Sequence, residues 1–303
     1  MIDFRPISIE DKKYYEKLLA DGRERGCEYS FANLYLWGRQ NMAVMNENIV
    51  FFSQFNRRSV YPFPLGAKDK KAILDAIIRD ARERGIPCRI TGIYPEDKQL
   101  LDELYPDKFR YHCDRDAHDY VYDINDLADL AGRKYHSKRN HIKRFESSHP
   151  DYRTEPIGEN NIPSVIEMAE AWYEAKLLDD PHADFHMERA ALLKALRKFD
   201  ELELEGLVIK SDGKILAMTM GSLVSTTTVD VHFEKALSGV DGAYTIINRE
   251  FARHIRSKYP EVKYLNREED MGIEGLRRAK QSYYPHHMIT KCWACLLEEG
   301  YDY

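Results

Sequence analysis

The chain has 303 residues, 43% of them hydrophobic, and a net charge of −6; at the usual domain size of about 100–200 residues it is long enough for two packed domains. The acidic balance, with a sequence pI near 6.0, weighs against a dedicated nucleic-acid binder, and no segment nears the roughly 20 apolar residues of a membrane helix. Five scattered cysteines argue against a disulfide framework, and an N-terminus that carries charge and no apolar signal region leads to the expectation of a cytoplasmic protein.

In chain order, the first half predicts a strand near 3–7, helices at 11–19 and 31–37, and three strands near 42–45, 49–55 and 59–63. A long helix over 69–84 follows, with Ile73, Ile77 and Ala81 spaced by four on one face. A strand at 88–93, a helix at 97–105 and a last strand near 111–122 complete this half. Residues 131–149 read as a connector helix with Tyr135, Ile142 and Phe145 inward. Its cations are Arg133, Lys134, Lys138, Arg139, Lys143 and Arg144, with His136 and His141 among them.

The second half repeats the order. A strand near 152–157 leads to helices at 162–177 and 187–199, then strands at 207–210, 215–224 and 228–234. The helix over 244–259 carries Tyr244, Ile247, Phe251 and Ile255 as its apolar stripe. A strand at 264–267, a helix at 275–284 and a strand at 288–297 close the chain. The repeat implies two α+β lobes, 1–130 and 150–303, joined by 131–149. Each lobe has a mixed, mostly antiparallel sheet, and its last strand–helix–strand portion forms a crossover unit. Cys292 and Cys295 read as two packed thiols, because a zinc site would lack half its ligands. His182 and His186 have metal spacing but no third partner nearby, so no metal is expected.

Three stretches, YSFANLYLWG (29–38), GRKYHSKRNHIKRF (132–145) and NREEDMGIEGLRRAKQSYYP (266–285), resemble an uncharacterised bacterial family grouped with the C-terminal domain of phosphatidylglycerol lysyltransferases. The resemblance covers essentially the whole chain. It implies a GNAT-like fold present twice, as in the Fem-type peptidyl transferases. It also implies movement of an acyl or aminoacyl group from coenzyme A or aminoacyl-tRNA to an amine or hydroxyl acceptor, such as a lipid or peptide amine.

Residue chemistry refines that expectation. The loop Lys235, Ser238, Gly239, Val240, Asp241, Gly242 and Ala243 opens a helix, whose free N–H groups and partial positive charge suit the donor's phosphates. The GNAT pattern places a cation before the first glycine; here it is missing, Lys235 is the nearest candidate, and Asp241 would repel a phosphate unless it points away. On the strand 229–234, period two puts Asp230, His232 and Glu234 on one face. Glu234 or His232 is then the candidate general base; the same alternation equally describes a half-exposed strand. By resemblance Tyr283, with Tyr284 as the alternative, is the acid that protonates the leaving group. Asp230, Asn266, Arg267 and Glu268 are expected to line the cleft between strands 229–234 and 264–267. Arg133, Lys134, Lys138, Arg139, Arg277 and Arg278 form two basic clusters for a tRNA backbone, a lipid headgroup or a coenzyme phosphate. The corresponding loop of the first half, 62–68, has two prolines and a single glycine, so only the second half is expected to keep a donor site. A non-catalytic RNA-binding protein and a degenerate regulatory protein remain as other readings.

Overall fold

The computed structural model describes residues 1–20, 22–55 and 58–297. Its first repeat comprises β1 (Arg5–Pro6), α1 (Lys12–Leu19), α2 (Phe31–Trp37), β2 (Gln40–Met45), β3 (Asn48–Phe55), β4 (Arg58–Pro62), α3 (Lys70–Arg84), β5 (Arg89–Ile93), α4 (Pro95–Leu104) and β6 (Phe109–Cys113). Then come β7 (Asp119–Asp123), α5 (Ile124–Asp129) and α6 (His136–Ser148). The second repeat comprises β8 (Arg153–Pro156), α7 (Ile162–Asp179), α8 (His186–Arg197), β9 (Glu205–Ser211), β10 (Lys214–Ser225), β11 (Thr228–Ala236), α9 (Ala243–Lys258), β12 (Tyr264–Asn266), α10 (Glu274–Gln281), β13 (His287–Ile289) and β14 (Cys292–Leu296).

Local chemistry explains the breaks. Asn46 and Glu47 both take positive φ between β2 and β3, as do Asp212 and Gly213 between β9 and β10. Two-residue turns of that hand match the twist of a hairpin. Asp69 caps α3 by accepting from the Ala72 N–H, and Gly85 ends it at φ 68°. Ile73, Ile77 and Ala81 are buried as their spacing requires. On α9 the buried stripe is Ile246, Ile247, Phe251 and Ile255, whereas Tyr244, expected to start it, is exposed. Tyr135, Ile142 and Phe145 are buried as expected.

Each repeat builds a seven-stranded sheet, in the orders β1-β2-β3-β4-β5-β14-β6 and β13-β7-β12-β11-β10-β9-β8. The three-strand meanders are antiparallel. The parallel neighbours are β4 with β5, across α3, and β11 with β12, across α9. The closing strand–helix–strand portions differ from expectation, because β14 separates β5 from β6 and β7 separates β12 from β13. The strands expected at 111–122 and 288–297 are each broken in two. Their halves join different sheets, because pairing partners distant in sequence leave no local mark on hydropathy.

The chain divides into two compact units. Unit 1 holds Met1–Asp119, Glu269–Ile273 and the chain from Met288 on; unit 2 holds Tyr120–Glu268 and Glu274–His287. This differs from a division at 130 and 150: α6 belongs to unit 2, and β14 completes the sheet of unit 1. Cys292 is disulfide-bonded to Cys113, its partner across β14 and β6, while Cys295 stays a buried free thiol. The expectation of two packed thiols therefore fails at Cys292, which strand pairing sets against a cysteine 179 positions away in sequence.

Candidate active site

In unit 2, β11 and β12 pair only over Thr228↔Tyr264, Val229↔Leu265 and Asp230↔Asn266. Past that point β11 runs on to Ala236, while β12 has ended. Gly221 on β10 helps set this region. The β10–β11 register slips between Met220 and Gly221, and a Cβ at Gly221 would lie 2.2 Å from the Asp230 carbonyl oxygen, so only glycine fits.

The polar side chains of β11 are largely covered rather than half-exposed. Asp230 is fully covered and the His232 side chain is 1% exposed. The Glu234 carboxylate takes 2.8 Å from Arg267 Nη2 and 3.2 Å from Asn248 Nδ2 of α9. The second terminal nitrogen of Arg267, Nη1, is buried with no hydrogen-bond partner. The guanidinium lies 5.1 Å from the ring centre of Tyr283. That tyrosine is buried past the end of α10 rather than along its face. Its hydroxyl bonds Thr245 of α9, and burial raises its pKa, so it keeps its proton. The Tyr135 hydroxyl donates to the Tyr283 carbonyl at 2.9 Å and holds this turn. Tyr284, the alternative acid, is exposed and turned to other partners.

Lys138 enters the same group from the first turn of α6. Its ammonium is 3.7 Å from the Tyr283 ring centre and donates to Ser282 Oγ at 2.7 Å. Burial and the Arg267 charge pull its pKa down to about 8, against the upward pull of Glu234. A lysine poised there exchanges protons near neutrality. Sequence spacing placed Lys138 only within a basic cluster; no local signal tied it to Glu234, Arg267 and Tyr283.

The other expected residues divide. Lys235 projects from the opposite face of β11, as period two requires, and pairs with Glu188 at 2.6 Å against the Trp172 ring. Its ammonium is thus already paired, on the face of β11 opposite Asp230, His232 and Glu234. In the glycine loop, Ser238 and Gly239 are exposed, but Asp241 is held by Arg144 at 2.6 Å and by His141 at 3.2 Å. Val240 N–H and Ala243 N–H turn back to Leu237 and Val240. A Cβ at Gly242 would sit 2.4 Å from the His141 carbonyl oxygen. The backbone of α6 thus packs against the turn that was expected to receive phosphate. The basic clusters also disperse. Arg133 and Lys134 are exposed, Arg139 donates to the carbonyls of Leu130 and Gly132, and Arg278 makes an exposed pair with Glu274; Arg277 is half-buried.

Asn266 is buried and its Oδ1 accepts from the Glu268 N–H at 2.8 Å. Glu268 takes φ 58°. Its carboxylate and that of Asp230 each lie 3.5 Å from His232 Nδ1, while Nε2 is 2.8 Å from Ser222 Oγ.

Unit 1 has its own buried ionic group, which sequence reasoning missed. Lys291 reaches Asp119 at 2.7 Å, Glu28 at 2.8 Å and Glu269 at 3.4 Å, with Cys27 Sγ at 3.7 Å. Burial opposes its charge, but the three carboxylates prevail and hold its pKa well above the usual range. The shallow surface grooves around 155–161 and around 1–4 share no residue with either group.

The profile of the family described as "Phosphatidylglycerol lysyltransferase, C-terminal" matches residues 20–295. The chain belongs to this family. It is 37% identical to a conserved protein of unknown function from Bacteroides thetaiotaomicron VPI-5482, with a TM-score of 0.92 over 98% of this chain and 100% of that one. The structure of L-PGS from Bacillus licheniformis is similar at TM-score 0.68 and 14% identity, over 98% of this chain and 94% of that one. FemX is similar at 0.63 and 9%, over 98% of both chains. No curated protein matches the sequence. The fold is the tandem GNAT-like α+β arrangement, and family and fold together point to a GNAT-like aminoacyl transferase. Among the described residues no helix is long and apolar enough to cross a membrane.

Proposed function

We propose that unit 2 transfers an aminoacyl group from the ester of an aminoacyl-tRNA to an amine or hydroxyl acceptor at the Glu234–Arg267–Tyr283–Lys138 group. The observation that carries this reading is the buried Arg267 Nη1 without a partner, beside a lysine tuned to about 8. In the reaction, the acceptor's nucleophile bonds to the ester carbonyl carbon and gives its proton to neutral Lys138 Nζ. The carbonyl oxygen gains negative charge, which Arg267 Nη1 stabilises. As the carbonyl re-forms, the ester C–O bond breaks and Tyr283 gives its proton to the leaving oxygen; Lys138 then restores the tyrosine's proton. Glu234, expected as the base, instead orients Arg267 in this scheme, and His232 lies too deep to meet an acceptor.

The donor choice rests on the glycine turn. A coenzyme A pyrophosphate would need the N–H groups around Gly242, and α6 packs against that turn. The exposed Arg133 and Lys143 on and before α6 suit a polyanionic backbone instead, despite the acidic total, with Lys134 paired to Asp126 beside them. A lipid hydroxyl is the acceptor class that the family's description suggests, with an amine as the alternative.

A thermal-shift series tests the donor. Aminoacyl-tRNA at 100 times its dissociation constant should stabilise by about 2.7 kcal/mol, with the effect fading as salt rises. Coenzyme A and acetyl-coenzyme A should leave the midpoint unchanged. A saturable shift with acetyl-coenzyme A and none with aminoacyl-tRNA contradicts the proposal.

A further inference from the structure

Asp230, His232 and Glu268 form a group that the transfer scheme leaves unused. One ligand atom from each lies within 4.8 Å of the others. The imidazole is fixed in place: Nε2 is 2.8 Å from Ser222 Oγ, and the side chain is 1% exposed. Nδ1 has no hydrogen-bond partner although it is buried. A buried ring nitrogen without a partner is costly.

The spacing explains the orphan. Nδ1 stands 3.5 Å from Asp230 Oδ2 and 3.5 Å from Glu268 Oε1. Those separations are long for hydrogen bonds. They match the edge of a tetrahedron whose metal–ligand bonds are about 2.1 Å, which is about 3.4 Å. The Ser222 contact suits a histidine ligand at its other nitrogen: with the proton on Nε2 and donated to Oγ, the Nδ1 lone pair faces the two carboxylates. One imidazole and two carboxylates are ligands that zinc accepts, with a fourth position open to water.

We propose that Asp230, His232 and Glu268 bind one divalent first-row cation, with zinc preferred over magnesium. The ion ties the middle of β11 to the turn after β12. The inference does not depend on the transfer chemistry, which needs no metal.

Calorimetric titration of chelator-stripped full chain with Zn2+, Mn2+ and Mg2+ tests it. Wild type should take up one Zn2+ that His232→Ala does not bind, at least ten times more tightly than Mg2+. Ser222→Ala should weaken the site about 10–100-fold, as loss of an outer-shell partner does. Because surface histidines also bind zinc, the comparison with His232→Ala decides: equal stoichiometry and affinity in the two chains overturns the site, as does no uptake by wild type. If His232→Ala does not fold, Glu268→Gln takes its place, with the same two outcomes. Nitrogen chemical shifts of His232 on adding Zn2+ give an activity-free readout, and an unchanged Nδ1 signal at saturation also overturns the proposal.

Discussion

Glu234 and Arg267 show how a pairing changes what a residue can be asked to do. A free carboxylate on β11 would tolerate Glu234→Gln with its fold intact. The carboxylate found here neutralises a buried guanidinium at 2.8 Å, and removing one partner of a buried pair costs about 3–5 kcal/mol. Glu234→Gln should therefore lose about 3 kcal/mol in urea denaturation as well as activity. Glu234→Gln combined with Arg267→Met should regain much of that stability, since no charge is left unpaired, yet remain inactive. A single substitution that keeps wild-type stability would show the pair to be weakly coupled. Period two was enough to place Asp230, His232 and Glu234 on one face, and the crowding of charge after β12 marked Arg267. The role of Lys138 was not legible, because its partners lie about 96 to 145 positions ahead, from Glu234 to Tyr283. Burial, which lowers its pKa, is also a tertiary property.

At the scale of elements, the turn before α9 separates two glycines that look alike in sequence. Gly239 and Gly242 both have φ 82°. Nothing lies within 4 Å of a Cβ at Gly239, whereas one at Gly242 meets the α6 backbone. Gly239→Ala should cost only the left-handed strain of about 1–2 kcal/mol, and Gly242→Ala should cost clearly more, with α6 displaced. Equal urea midpoints would mean that α6 does not pack on this turn in solution. The long helices and the two meanders were legible from periodicity and turn residues, because those signals are local. A second element-level test uses Glu205 on β9. Burial raises its pKa, but His254, Lys258 and Tyr259 outweigh that and bring it from 4.5 to about 2. A carboxylate depressed in the folded state stabilises above the unfolded value and loses that contribution as pH falls through the folded one. The chain should thus lose on the order of 2–3 kcal/mol between about pH 5 and pH 2 through this group. Glu205→Gln should be less stable at pH 7 and show a flatter acid limb; an unchanged limb would assign the acid sensitivity elsewhere.

On the scale of the whole molecule, the repeat was legible and its exchange of strands was not. Each repeat alone supplies six strands to its own sheet and takes the seventh from the other half of the sequence: β14 sits between β5 and β6, and β7 between β12 and β13. Hydropathy fixes that a segment is a strand; it does not say which edge receives it. A fragment ending at residue 119 lacks β14 and leaves β5 and β6 without their shared neighbour. It should be unfolded by circular dichroism, and a folded monomer would contradict the exchange. The central claim is that unit 2 carries out aminoacyl transfer with Lys138 as the proton acceptor. It is tested most directly by single-turnover transfer from labelled aminoacyl-tRNA to an amine acceptor across pH 6 to 10, for wild type and Lys138→Met. Wild type should quicken with an apparent pKa of about 8, as neutral lysine forms, and then level off. Lys138→Met should fold normally and transfer at least 100-fold more slowly, a loss of about 2.7 kcal/mol of transition-state stabilisation. A Lys138→Met chain that keeps the wild-type rate and pH dependence would contradict it.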